Sequence, residues 1–212
     1  MISKDMRIED AIKTNPNIID ILIDLKIDFC CKGYKNISEI ALEKKLDLDS
    51  LVNLLNKQEN IDNKLDDILK MDKDDLLDYI IDACFIKEIK LLNELDLLLQ
   101  KLIKVHFDPH GEDLLKIYDL FSLLKKVLII HFTKEEKIDF RILRRNEKID
   151  VESLIKDHEY IGELLNKLEM LTNGYVSPSD GCETYVYTFK LLKELSISVK
   201  EHIFLENSIL YK

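Results

Sequence analysis

The sequence predicts an all-α protein, an up-down four-helix bundle preceded by a small helical N-terminal domain. Three observations predict it. Apolar residues recur at threes and fours through four long segments beyond residue 73. Leu, Ile, Lys, Glu and Asp dominate a chain of 212 residues that carries only five Gly, three Pro and no Trp, a composition that favours helices. Strong turn chemistry is confined to short stretches, such as FDPHG and NGYVSPSDG. The length suits one bundle with a small extra unit.

Residues 1–57 read as several short helices. The apolar bursts IEDAI, IIDILIDL, ISEIAL and LDSLVNLL are separated by NP, the CCKGYKN turn and KKLDLD. Asn36 or Ser38 is placed to cap the third helix, and Asp47 or Asp49 the fourth. Residues 58–73, KQENIDNKLDDILKMD, are highly charged and read as a linker. Residues 74–212 carry the bundle: helix A over 74–105, B over 112–146, C over 150–173 and D over 182–210. Asp150 is the expected N-cap of C, and Ser179 or Asp180 that of D. Mostly short connections favour antiparallel neighbours, so B and D run in the same direction.

A net charge of −10 and the lack of a basic stripe argue against a nucleic-acid binder. No apolar run approaches membrane-spanning length, and MISKDMRIEDAIK lacks the apolar core of a signal peptide. A cytoplasmic protein with reduced thiols is the expectation. Cys30 and Cys31 are adjacent while Cys84 and Cys182 are isolated, which is no disulfide framework. No nucleophile elbow, phosphate loop or zinc-protease motif occurs.

The chemistry concentrates on two His-x-x-x-Glu pairs, His131…Glu135 and His202…Glu206. Each interrupts an apolar stripe: Ile117, Phe121, Leu124, Leu128, His131, Glu135, Ile138, Ile142 on B, and Leu192, Leu195, Val199, His202, Glu206, Ile209 on D. Residues four apart share one helix face. One such pair on a solvated helix is ordinary. Two of them in apolar seams call for a compensating cation, because a carboxylate buried alone is costly. Helix C adds His158 on the face of Leu154, Ile161, Leu165 and Leu168. Imidazole with carboxylate suits iron, manganese or zinc, and the absence of thiolates there argues against an iron–sulfur cluster in the bundle. His106 and His110 lie about 30 Å of helix beyond Phe85 and read as surface or loop residues. Cys84 and Cys182 read as packing residues.

These residues carry a resemblance. Residues 74–212 resemble the hemerythrin-like domain, with HEYIGELL around His158 and EHIFLENSIL around His202 similar to its third and fourth helices. KIDFCCKG resembles the double-cysteine domain found ahead of that bundle in the iron–sulfur cluster repair family, also called repair of iron centers. The resemblance implies a metal-binding, di-iron stress-response protein that repairs iron–sulfur clusters damaged by oxidative or nitrosative stress. Iron donation is one implied route, and the role is closer to metal-binding repair than to conventional enzymology. It implies His131, Glu135, His158, His202 and Glu206 as iron ligands, with an oxo or hydroxo bridge between two ions. It also implies a thiol role for Cys30 and Cys31, and damaged iron–sulfur proteins as partners. The alternative is a hemerythrin-like module that binds or senses dioxygen or nitric oxide. A metal-free helical interaction protein is a third reading, and a homodimer through the N-terminal unit is compatible with the sequence.

The chain departs from the family in two places. Phe85 stands where the helix A histidine is expected, so one iron is a possible count beside two; Asp82 and Glu88 are the candidate substitutes. Lys26 and Lys32 stand where the cysteine motif has glycines, and either lysine near a thiol would lower its pKa.

Overall fold

The computed structural model describes residues 1–59 and 64–212. The part of the expected 58–73 linker at residues 60–63 therefore lies outside the described residues. Among the described residues every regular element is helical, and Arg7 and Asn36 form an isolated antiparallel bridge. No helix among them is long and apolar enough to cross a membrane. The chain forms two compact units, one of residues 1–76 with 200–212 and the other of residues 77–199.

The first unit holds α1 (Ile8–Thr14), α2 (Ile19–Asp24), α3 (Ile37–Lys44), α4 (Leu48–Asn56) and α5 (Lys64–Ile68). Local chemistry sets their ends. Asn36 and Glu39 make a capping box at α3, and the Asp47 side chain accepts from Ser50 N at α4. Asn15 accepts from Asn17 N ahead of a short 3₁₀ turn that starts at Pro16. Ile8, Ile12, Ile18, Leu22, Ile37 and Leu55 are fully buried. Residues 200–212 join this unit through specific contacts: Phe204 packs edge-on against Phe29 at 6.2 Å, Asn207 Nδ2 donates to Cys30 O at 3.0 Å, and Lys212 pairs with Glu9 at 3.0 Å.

The second unit, residues 77–199, holds most of the expected 74–212 bundle; the start of its first helix and the end of its last belong to the first unit. The expected helix A appears as α6 (Lys73–Tyr79), a π-helical turn (Ile80–Phe85) and α7 (Ile86–Val105). Helix B appears as α8 (Phe107–Lys134), a π turn (Glu135–Asp139) and α9 (Phe140–Arg144). Helix C is α10 (Val151–Leu171), and helix D is α11 (Glu183–Leu205) with a π turn (Glu206–Leu210). Cross-contacts fix the directions. Asp96 meets Lys125 and Gln100 meets Tyr118, His131 meets His158 and Lys134 meets Asp157, and Lys87 meets Glu194 and Glu94 meets Tyr187. In each case rising numbers on one helix meet falling numbers on the other, which is the up-down arrangement.

Three details differ from the sequence expectations. The break between helices A and B falls on Asp108 (φ −94°, ψ 113°), inside α8, so helix B proper begins just after it, ahead of the expected 112; Asp108 precedes a proline, a position disfavoured in the helical region. Helix D starts at Glu183, with Cys182 O accepting the N–H of Val186 at 3.1 Å. The Asp180 carboxylate is engaged by His110 at 3.0 Å and does not cap it. Finally, the apolar stripes shift by one residue at their ends: Ile138 is 53 % exposed while Asp139 and Phe140 are buried. A π turn adds a residue to the helical repeat, so the inward face moves from 138 to 139 and 140. On the last turn Leu210 is buried whereas Ile209 is only partly so.

Candidate metal centre

His131 closes the last turn of α8, Glu135 opens the π turn that follows, and His158 lies midway along α10. Spacing of four stacks the first two, and antiparallel packing of α8 against α10 brings in the third. His131 Nε2 is 3.0 Å from His158 Nε2 and 3.3 Å from Glu135 Oε2, and His158 Nε2 is 3.7 Å from Glu135 Oε1. The two imidazole rings meet almost perpendicularly, at 84°. His158 and Glu135 are fully buried and His131 nearly so. All three offer a ligand atom within 4.8 Å of the others. Donors around one small transition-metal ion sit roughly 3–4 Å apart, given metal–ligand bonds near 2 Å. Two nitrogen donors aimed at one another and at a carboxylate, inside an apolar shell, therefore fit a divalent cation by both chemistry and spacing.

Phe85 ends the π turn ahead of α7 and is buried. Its ring stacks on Phe132 at 4.5 Å and 14°, and on Phe140 at 5.9 Å and 18°. An aromatic plug thus lies beside the turn that carries His131 and Glu135. Of the two candidate substitutes, Asp82 is exposed on the outer face of its turn, so it is not one. Glu88 is fully buried and accepts a hydrogen bond from Ser198 Oγ at 2.9 Å.

In the first unit, His202 Nε2 lies 3.2 Å from Glu206 Oε2, and both residues are fully buried. The same unit holds a thiol group. Cys30 Sγ is 3.5 Å from Cys31 Sγ and 3.4 Å from Asp28 Oδ1, which also accepts from Cys31 N at 2.9 Å. Asp28, Cys30 and Cys31 offer ligand atoms within 4.8 Å of one another. The hydrogen bond with Cys31 and burial push the Cys30 thiol well above its ordinary pKa. Lys26 and Lys32 are exposed, whereas both thiols are buried. Gly33 closes the motif because a Cβ there would meet Phe29 O at 2.8 Å.

No sequence pattern marks the π turns. Two of them begin at Glu135 and Glu206, where Phe140 N–H and Tyr211 N–H reach back five residues to the glutamate carbonyls. Such turns concentrate at functional sites, yet no residue type announces them. Asp139 was missed for the same reason: the turn carries it inward, and burial raises its pKa above the ordinary carboxylate range. Cys84 is buried as expected, whereas Cys182 is exposed and does not pack.

Comparison with known proteins bears on this geometry. Residues 79–212 match the hemerythrin HHE cation binding domain, and residues 4–59 match a domain of unknown function, DUF542. An iron-sulfur cluster repair protein ScdA of Staphylococcus epidermidis is 32% identical over 100% of this chain and 99% of its own length. Its counterpart in Staphylococcus haemolyticus is 29% identical over 100% and 98%. The iron-sulfur cluster repair protein YtfE of Pectobacterium atrosepticum is 28% identical over 100% and 97%.

Proposed function

Because this chain belongs to the iron–sulfur cluster repair family, with a hemerythrin HHE cation-binding bundle as its larger part, we propose that it restores iron–sulfur clusters damaged by oxidative or nitrosative stress. Its ligands in this reading are His131, Glu135, His158, His202 and Glu206, all within the matched residues 79–212. The observation that carries the reading is the convergence of His131, Glu135 and His158 in a buried, apolar setting. Iron bound there supplies a ferrous–ferric couple at near-neutral pH.

The side chains do the rest. Glu135 and Glu206 offset cationic charge in surroundings where either carboxylate alone would cost several kcal/mol. The imidazoles hold the ion by neutral nitrogen, a set less retentive than thiolates. Phe85 withholds a donor and keeps bulk water from that flank. A centre short of one imidazole releases iron more readily, which favours donation of iron to a damaged cluster. The missing donor also favours the second reading, reversible binding of dioxygen or nitric oxide. The Asp28–Cys30–Cys31 group, with both thiols buried, supports the repair reading, since gas binding at a His/Glu centre has no use for it.

The test uses the full chain, purified anaerobically and loaded with iron, added to an iron–sulfur dehydratase inactivated by peroxide or nitric oxide. Recovery of dehydratase activity, with loss of iron from the added protein, supports repair. A stable gas adduct with iron retained and no recovery supports the second reading.

A further inference from the structure

About 30 Å of helix separates Phe85 from the other end of α7, where a second group of reactive side chains gathers. His106 caps the C-terminus of α7, and His110 follows one turn later, its N–H bonded to His106 O at 3.0 Å. Cys182 immediately precedes the 23-residue α11 and is exposed. Its sulfur lies 3.2 Å from His106 Nε2. The neighbouring His110 is held by a different partner, with its Nε2 3.0 and 3.1 Å from the two oxygens of Asp180. Both imidazoles stand edge-on to the Tyr185 ring, at 5.4 and 5.9 Å. These packed rings hold the His106 nitrogen toward the thiol.

We propose that Cys182 and His106 form a thiolate–imidazole pair, a site of covalent modification by peroxides. Three features of place support it. The sulfur is reachable from solvent, a ring nitrogen lies within hydrogen-bonding distance of it, and the backbone N–H groups opening α11 stabilise negative charge on it. Together with the hydrogen bond from His106, they bring the thiol down to about 7. His106 is the titratable group in contact with the sulfur, while His110 and Asp180 satisfy each other.

In the proposed step the thiolate attacks one oxygen of hydrogen peroxide. The S–O bond forms as the O–O bond breaks, sulfur is oxidised by two electrons, and the departing hydroxide takes the shared proton from His106 to leave as water. Cys182 becomes a sulfenic acid and His106 is left neutral. The unit's other cysteine, Cys84, is buried near the opposite end of α7, so no resolving thiol of this unit converts the product to a disulfide.

The test uses the native full chain at pH 7 with iodoacetamide, read cysteine by cysteine by peptide mass spectrometry, and then with hydrogen peroxide and a 1,3-dicarbonyl trap for sulfenic acids. Half-ionisation raises the thiolate fraction roughly fiftyfold over a thiol that titrates at 9.0, and the lower nucleophilicity of an acidic thiol takes back most of that, leaving about fivefold. Cys182 is expected to alkylate about fivefold faster than in the unfolded chain and to be the first cysteine trapped. His106→Asn should remove that advantage, and His110→Asn should leave it. Equal rates in the folded and unfolded chains, no effect of His106→Asn, or equal losses in both variants would overturn the proposal.

Discussion

Phe85 is the residue that most distinguishes this centre. A stacked aromatic pair contributes about 0.5–1.5 kcal/mol beyond its burial, and Phe85 stacks on two rings. Phe85→His should therefore have opposite effects on two measurements. The metal-free variant should unfold at lower temperature, by the equivalent of about 1–3 kcal/mol, while anaerobically loaded protein should retain more iron per chain through desalting against a chelator. A variant that loses stability without gaining iron would show that the added imidazole does not reach the centre. At Glu135 the expectation is simpler. Glu135→Gln keeps shape and burial but removes charge, and iron affinity should fall more than tenfold in an equilibrium titration, about 1.4 kcal/mol or more. The proposed ligands stand out in the sequence because a histidine and a glutamate four apart in an apolar seam conflict with packing unless a cation is present. The plug around Phe85 does not, since Phe132 and Phe140 read in sequence as ordinary core positions.

The helices and their caps show what local chemistry decides. Asp150 was legible as a cap and accepts from Ser153 N at 3.1 Å. Asp150→Ala should cost about 1 kcal/mol in denaturant unfolding, with the m-value unchanged. The α7–α8 contact turns on Asp96, which accepts from Tyr118, Gln100 and Lys125. The hydrogen bond with Lys125, aided by those with Gln100 and Tyr118, lowers the Asp96 pKa. A depressed carboxyl stabilises the fold above its unfolded value of about 4 and loses that contribution as pH falls through the folded value. Asp96→Asn should thus cost about 0.5–1 kcal/mol at pH 7, with the gap from the unmodified chain closing below pH 4. A constant gap would mean that the charge is irrelevant. The π turns were not legible at this scale. An extra residue per turn leaves the sequence pattern helical and shows only as a one-residue slip, from Ile138 to Asp139 and Phe140 and from Ile209 to Leu210. Helix periodicity carries no term for such a slip. The same holds for the start of α11, where the charged side chain that looked like a cap is claimed by a histidine 70 residues away.

For the molecule as a whole, iron and folding are one equilibrium. A ligand bound only by the folded state stabilises it by about 2.7 kcal/mol at a hundred times its dissociation constant. For a chain of this size that raises the thermal midpoint by roughly 5–10 °C. Adding ferrous iron anaerobically to the metal-free protein should produce this shift. The Glu135→Ala/Glu206→Ala variant should unfold at the same temperature with or without added iron. The most direct measurement of the central claim is the iron content, with Mössbauer spectra, of the full chain and of that double variant purified side by side without oxygen. Retained iron in the parent with nitrogen and oxygen donors, and its near-complete loss from the variant, is the outcome the ligand assignment requires; equal iron in both, or none in either after loading, contradicts it.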